Sequence, residues 1–116
     1  MKRNAGLFIQ DILENINDIE SFSKGLSKNN LISDKLKQKA IIRSLEVIGE
    51  AVKNIPISLR EKYHNVEWNK ISGMRDVIIH GYFRVDLDAI WNVIKNDMPK
   101  LKKQIEKIEK ELTSKS

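Results

Sequence analysis

The chain has 116 residues, 41% of them hydrophobic and 32% charged, with a net charge of +5. That length suits one domain over 1–116 with a modest core, and no apolar run approaches the ~20 residues needed to span a bilayer. The absence of cysteine excludes disulfides and thiol catalysis, two histidines argue against a zinc site, and the N-terminus lacks the apolar stretch of a signal peptide, so a cytoplasmic protein without membrane partners is expected.

From Asn4 to about Lys24, Leu7, Ile9, Ile12, Leu13, Ile16, Ile19 and Phe22 recur at helical spacing. Gly25 and the polar run from Ser27 to Asn30 read as the loop that ends this helix. A second helix starts with Ser33 or Asp34 as its cap. Its apolar stripe is Ala40, Ile41, Ser44, Leu45, Ile48, Ala51, Val52 and Ile55. Arg43, Glu46, Glu50 and Lys53 share the other face, a self-compensating charge set more than a paired-carboxylate metal site. Gly49 lies inside this helix, where Gly costs about 1 kcal/mol against Ala, and close approach of a neighbouring helix is the usual reason.

Pro56 stops the second helix, and Ile57–Tyr63 reads as a short helical segment. Glu67 through Ile79 is expected to be helix with a bend at Gly73, its Trp68 and Ile71 facing the core. Another helix begins at Asp86 or Asp88 and buries Leu87, Ile90, Trp91 and Ile94. Pro99 marks either a kink or a fresh start capped by Asp97. The last helix sets Leu101, Ile105, Ile108 and Leu112 against Lys100, Lys103, Lys107 and Lys110. Those lysines are either a nucleic-acid track or simply the wet side of a bundle helix. No strand-period segment or repeat appears. The fold expected is all-α, an up-and-down bundle of four long helices with short additional turns.

Between the bend and the fourth helix the chain places Arg75, His80 and Tyr82 within eight residues. Arginine donates paired hydrogen bonds to phosphate oxygens, and histidine exchanges protons near neutral pH. On an unbroken helix Arg75 and His80 lie about 140° apart, so one helix cannot aim both at one point. Asp76 and His80, four apart, would share a face and let the carboxylate orient the imidazole. Either the helix stops near His80, ahead of Gly81, or a second copy of the chain supplies the other half. The plainer alternative is a surface ion pair between Arg75 and Asp76, with His80 as a helix cap.

The wording of this region carries a resemblance. R-x4-H-x-Y over Arg75–Tyr82 is similar to the signature of the HepT-like toxins of the HEPN group. Arg43–Lys53 (R-S-L-E-V-I-G-E-A-V-K) resembles that family's second long helix. Trp68–Tyr82 resembles its catalytic segment, and Val85–Trp91 the helix after it. The similarity spans roughly Ile41 to Leu101. One departure is the run Tyr63–Trp68, where the family usually has a proline-containing link; it makes His64 a loop substitution, not a site residue.

The resemblance implies an all-helical homodimer acting as a metal-independent ribonuclease toxin on RNA, with Arg75 and His80 catalytic in a cleft between subunits. It implies no cofactor. It also implies a cognate minimal nucleotidyltransferase antitoxin that adenylylates Tyr82. Asp76 and Glu50 are possible supporting residues, and the Ile42–Gly49 flank is placed near the cleft. The alternative from another class is a non-catalytic helical module that binds a nucleotide or a nucleotidyltransferase. A purely structural helical dimer would leave the Arg, His and Tyr without a role.

Overall fold

The computed structural model describes residues 4–80 and 84–114, with the backbone alone described at Ile79, His80 and Arg84. Two long helices, α1 (Ala5–Ser23) and α3 (Lys35–Lys53), lie against each other, and a third, α8 (Met98–Ser114), packs on α1. Ile9, Ile12, Ile16 and Ile19 repeat every three or four residues on α1 and are essentially inaccessible to water. They meet Ile41, Leu45, Ile48 and Val52 of α3 and Leu101, Ile105 and Ile108 of α8 in one core. Each such side chain contributes about 1.5–3 kcal/mol of transfer free energy. The expected all-α bundle is what the chain forms, and of the expected apolar stripes only Leu7 among the described residues is left exposed.

Side-chain caps fix where the long helices begin. Asn4 accepts from the Leu7 N–H at 3.1 Å, and Asp34 accepts from the Lys37 N–H at 3.0 Å. Each carboxyl or amide oxygen satisfies a donor that the first helical turn leaves open. At the far end of α3, Arg60 donates from Nε to the Ile55 carbonyl and from Nη2 to that of Lys53. That arginine comes from α4 (Ile57–Lys62), the short helix expected after Pro56.

Four details differ from the expectation. The polar run after Gly25 is not all loop: Ser27 accepts from the Asn30 N–H and starts α2 (Lys28–Ser33), which is pinned by fully buried Leu31. The expected Glu67–Ile79 helix is interrupted at Gly73 as anticipated, into α5 (Trp68–Ser72) and α6 (Met74–Ile78), but it starts one residue later and stops one residue earlier than expected. Helix then gives way before His80, so His80 is not a helix cap. Ile79 and His80 form β1, antiparallel to β2 (Arg84–Val85), a two-residue ladder that no alternation in the sequence announced. The helix ends at Ile78, and the Asp86 N–H donating to the Ile78 carbonyl at 2.6 Å ties the returning strand to that end.

The fourth difference lies around Pro99. The helix of Asp86 and the last helix are continuous over 87–114, through α7 (Leu87–Asn92), a π turn (Val93–Asp97) and α8. Asp86 is the cap, accepting from the Ala89 N–H at 2.9 Å. Asp97 caps nothing, because the Met98 N–H bonds back to the Val93 carbonyl. Proline has no N–H and its ring crowds the carbonyl four residues back; one wide turn just before it accommodates both without ending the helix.

Candidate functional site

Arg75 owes its position to two glycines with different tasks. A Cβ built on Gly49 would lie 3.2 Å from the Ser72 carbonyl oxygen, so the C-terminus of α5 rests directly on the α3 backbone. That is the close helix approach the sequence suggested for Gly49. Gly73 then closes α5 with its N–H and opens α6 with its carbonyl, which accepts from the N–H groups of Asp76 at 3.1 Å and Val77 at 3.3 Å. The re-aimed α6 holds Arg75 over the polar face of α3.

There the guanidinium meets two carboxylates. Its Nε is 3.8 Å from Glu46 Oε2, and its Nη1 is 3.5 Å from Asp76 Oδ1. Both are long contacts on a half-exposed side chain, and ion pairs of this kind typically contribute 0–1 kcal/mol. A phosphate offering two oxygens to the same fork makes shorter, charge-assisted bonds and can displace them. Arg75 lines a depression of about 150 Å³ whose rim sets three cations, Arg43, Lys53 and Arg75, among three carboxylates, Glu46, Glu50 and Asp76.

Of the supporting residues, Asp76 is on Arg75, at the solvent edge, and Glu50 lines the depression while pairing with Lys53 at 3.5 Å. Among the described residues no group of three or more His, Asp or Glu side chains is placed to hold a metal ion. His80 is brought to the same segment by β1, its backbone directly across the ladder from Arg84. Tyr82 lies outside the described residues, as does any contact of the His80 side chain with Asp76.

Glu46 was legible only as part of a surface charge set, yet it is the cross-helix partner of Arg75. Its one sequence signal was the neighbouring Gly49, which marks where another element comes close. Arg84 had no signal, since its place opposite His80 depends on the ladder. His64 belongs to a different, broad depression with Arg60, Trp68 and Lys70. Trp68 is not a base-stacking platform: it is buried, and its indole N–H donates to the Tyr63 carbonyl at 3.1 Å. No helix among the described residues is long and apolar enough to cross a membrane.

Comparison with known proteins supplies the remaining constraint. The family model described as "Ribonuclease HepT-like" matches residues 12–108. A protein of Thermococcus cleftensis named as a probable ribonuclease HepT is 41% identical over 110 residues, covering 95% of this chain and 100% of that relative. A candidate RNase of Methanocaldococcus jannaschii is 45% identical over 114 residues, 98% of each chain. Another protein of that organism, named as a gamma-glutamylcyclotransferase and candidate RNase, is 43% identical over 112 residues; the chain covers 50% of its length. No solved structure matches. Arg75 and His80 both fall inside the matched region, and the chain belongs to the ribonuclease HepT-like family.

Proposed function

We propose that this protein is a metal-independent endoribonuclease, the toxin of a toxin–antitoxin pair, working as a cytoplasmic homodimer. The observation that carries the reading is the family match across 12–108, which encloses the R-x4-H segment. The chemistry follows from the groups themselves. His80 takes the proton from a ribose 2′-OH, or returns one to the leaving 5′-oxygen. The 2′-oxygen attacks the adjacent phosphorus and the bond to the 5′-oxygen breaks, leaving a 2′,3′-cyclic phosphate. Arg75 exchanges Glu46 and Asp76 for the scissile phosphate and offsets the charge that grows on its oxygens. An internal nucleophile and a fixed cation suffice for this step.

The dimer reading has its own support. Val77, two residues after Arg75, leaves 57% of its surface exposed, an uncovered apolar side chain beside the site. A second copy laid against α6 would cover it and bring a partner's His80 towards Arg75. Adenylylation of Tyr82 by a nucleotidyltransferase antitoxin would add a phosphate close in sequence to Arg75 and compete for that guanidinium.

The deciding experiment is RNA cleavage in EDTA. Wild type should cut, while Arg75→Ala and His80→Ala should not, with helical circular dichroism unchanged in both. Cleavage that persists in both variants, or that requires added divalent metal, refutes the mechanism. Incubation with the partner nucleotidyltransferase and ATP should add mass to the Tyr82 peptide and stop cleavage; label elsewhere removes the regulatory half of the proposal.

A further inference from the structure

Four of the five lysines of α8 divide into two classes. Lys100 pairs with Glu67 at 3.5 Å and Lys102 with Glu20 at 2.9 Å, so both hold other elements onto the helix. Lys103 and Lys107 are exposed, and among the described residues neither has an ion-pair partner. Glu106 acts on the Lys102 ammonium, and Glu111 accepts a hydrogen bond from the Tyr63 hydroxyl. Four residues apart, Lys103 and Lys107 stand one above the other and repel.

They also face a built concavity. The two lysines, with Gln104, line a depression of about 230 Å³ whose opposite wall is Tyr63, Asn65 and Val66. Gln104 ties the walls together, its amide donating to the Asn65 carbonyl at 3.3 Å. The Tyr63 ring is buried, and the Lys62 ammonium sits 5.5 Å from its centroid. This depression shares no lining residue with the one beside Arg75. A concave shape and two ammonium groups one helical turn apart suit a phosphodiester backbone, whereas the buried ring leaves no platform for a base.

We propose that Lys103 and Lys107 form an RNA-backbone exosite, gripping phosphates of the substrate away from the bond that is cut. The proposal rests on the ribonuclease reading but concerns binding, not chemistry. Contacts of this kind are blind to sequence and steeply salt-dependent, so they would raise affinity for any single strand long enough to reach from Arg75.

The test is fluorescence anisotropy of a labelled single-stranded RNA with the full-length His80→Ala chain, which binds without cutting. Adding Lys103→Ala and Lys107→Ala should weaken binding roughly tenfold at low salt and flatten the slope of log K against log salt by about 1.4, two contacts of about 0.7 each. Lys35→Ala with Lys39→Ala, exposed lysines on α3, is the control and should leave the slope unchanged. An unaltered slope in the Lys103/Lys107 variant overturns the exosite, as does an equal loss in the control pair, which would mean diffuse charge. So does retained RNA affinity with lost binding of the nucleotidyltransferase, which would make this a protein-docking face. Failure of the parent to bind RNA removes both the exosite and the ribonuclease reading. Wild type that binds with the predicted slope change yet never cleaves supports the exosite and sinks only the catalytic proposal.

Discussion

Gly49→Ala tests whether the path from sequence to site runs through the α3–α5 contact. Alanine is the better helix former by about 1 kcal/mol, so on an isolated helix the change would stabilise. Here the new methyl would sit 3.2 Å from the Ser72 carbonyl oxygen. That neighbour is backbone and cannot rotate away; α5 must lift by a few tenths of an ångström. Overpacking of this sort typically costs 1–3 kcal/mol, which leaves a net destabilisation of roughly 0–2 kcal/mol. The functional loss should be larger in proportion. Lifting Ser72 moves Gly73 and the start of α6, and with them Arg75; a 1 Å misplacement can cost about a hundredfold in rate, so a shift of a few tenths should cost several-fold. Gly73→Ala is the matched comparison. Its φ is −98°, and its added Cβ would make ordinary contacts of 3.6 and 3.8 Å. It should fold and cleave nearly as wild type. Urea melts followed by circular dichroism give stability, and initial rates on a fluorogenic RNA give activity. The reasoning is refuted if Gly49→Ala gains about 1 kcal/mol and keeps full activity, or if the Gly73 variant suffers more.

Two further outcomes follow from the core and from the Tyr63 phenol. Ile16→Ala, at a core position shared by α1 with its two neighbours, should lose about 2–5 kcal/mol in denaturant melts; a loss under 1 kcal/mol would mean the site collapses to fill the gap. The Tyr63 hydroxyl, hydrogen-bonded to Glu111 and desolvated, has its pKa pushed up from 10.0 to about 12. With Tyr82→Phe removing the other tyrosine, phenolate absorbance should titrate near 12, and a midpoint at 10 would dissolve the Tyr63–Glu111 link. Because the folded pKa is the raised one, the stability from this pair is complete below pH 10 and declines as pH climbs towards 12.

The parts legible in the sequence were those whose cause is local. The isoleucines of α1 repeat at helical spacing, Asp34 precedes an apolar stripe, and Pro56 cannot continue a helix, so each could be read one window at a time. What escaped reading depends on partners distant in the chain. Ser27 to Ser33 is polar enough to pass for loop, and only the pocket that takes Leu31 makes it a helix. The Asp97–Pro99 segment offered a kink or a restart, and the third outcome, a π turn, exists because α7 and α8 have to stay on one line along the core. At the site, the residue types were plain, and the bend at Gly73 was expected. The partner of Arg75 was not, since Glu46 is 29 positions earlier by number and reaches it only through the Gly49–Ser72 contact.

How Arg75 is held bears on its proposed task. A guanidinium fixed by a buried, bidentate carboxylate would be well placed but slow to yield to a substrate, because its release would leave a buried charge unpaired. One with no acid nearby would rotate freely and lose the orientation that makes a cation useful in a transition state. Glu46 and Asp76 give the intermediate case, two contacts beyond 3.4 Å on a side chain 49% exposed. The side chain stays aimed by α6, while either contact can be exchanged for a phosphate oxygen at little cost. Under the proposed regulation, a phosphate on Tyr82, seven positions further along the chain, would compete for the same two contacts. On this argument the weakness of the two contacts serves both catalysis and its proposed inhibition, and strengthening them would impair both together.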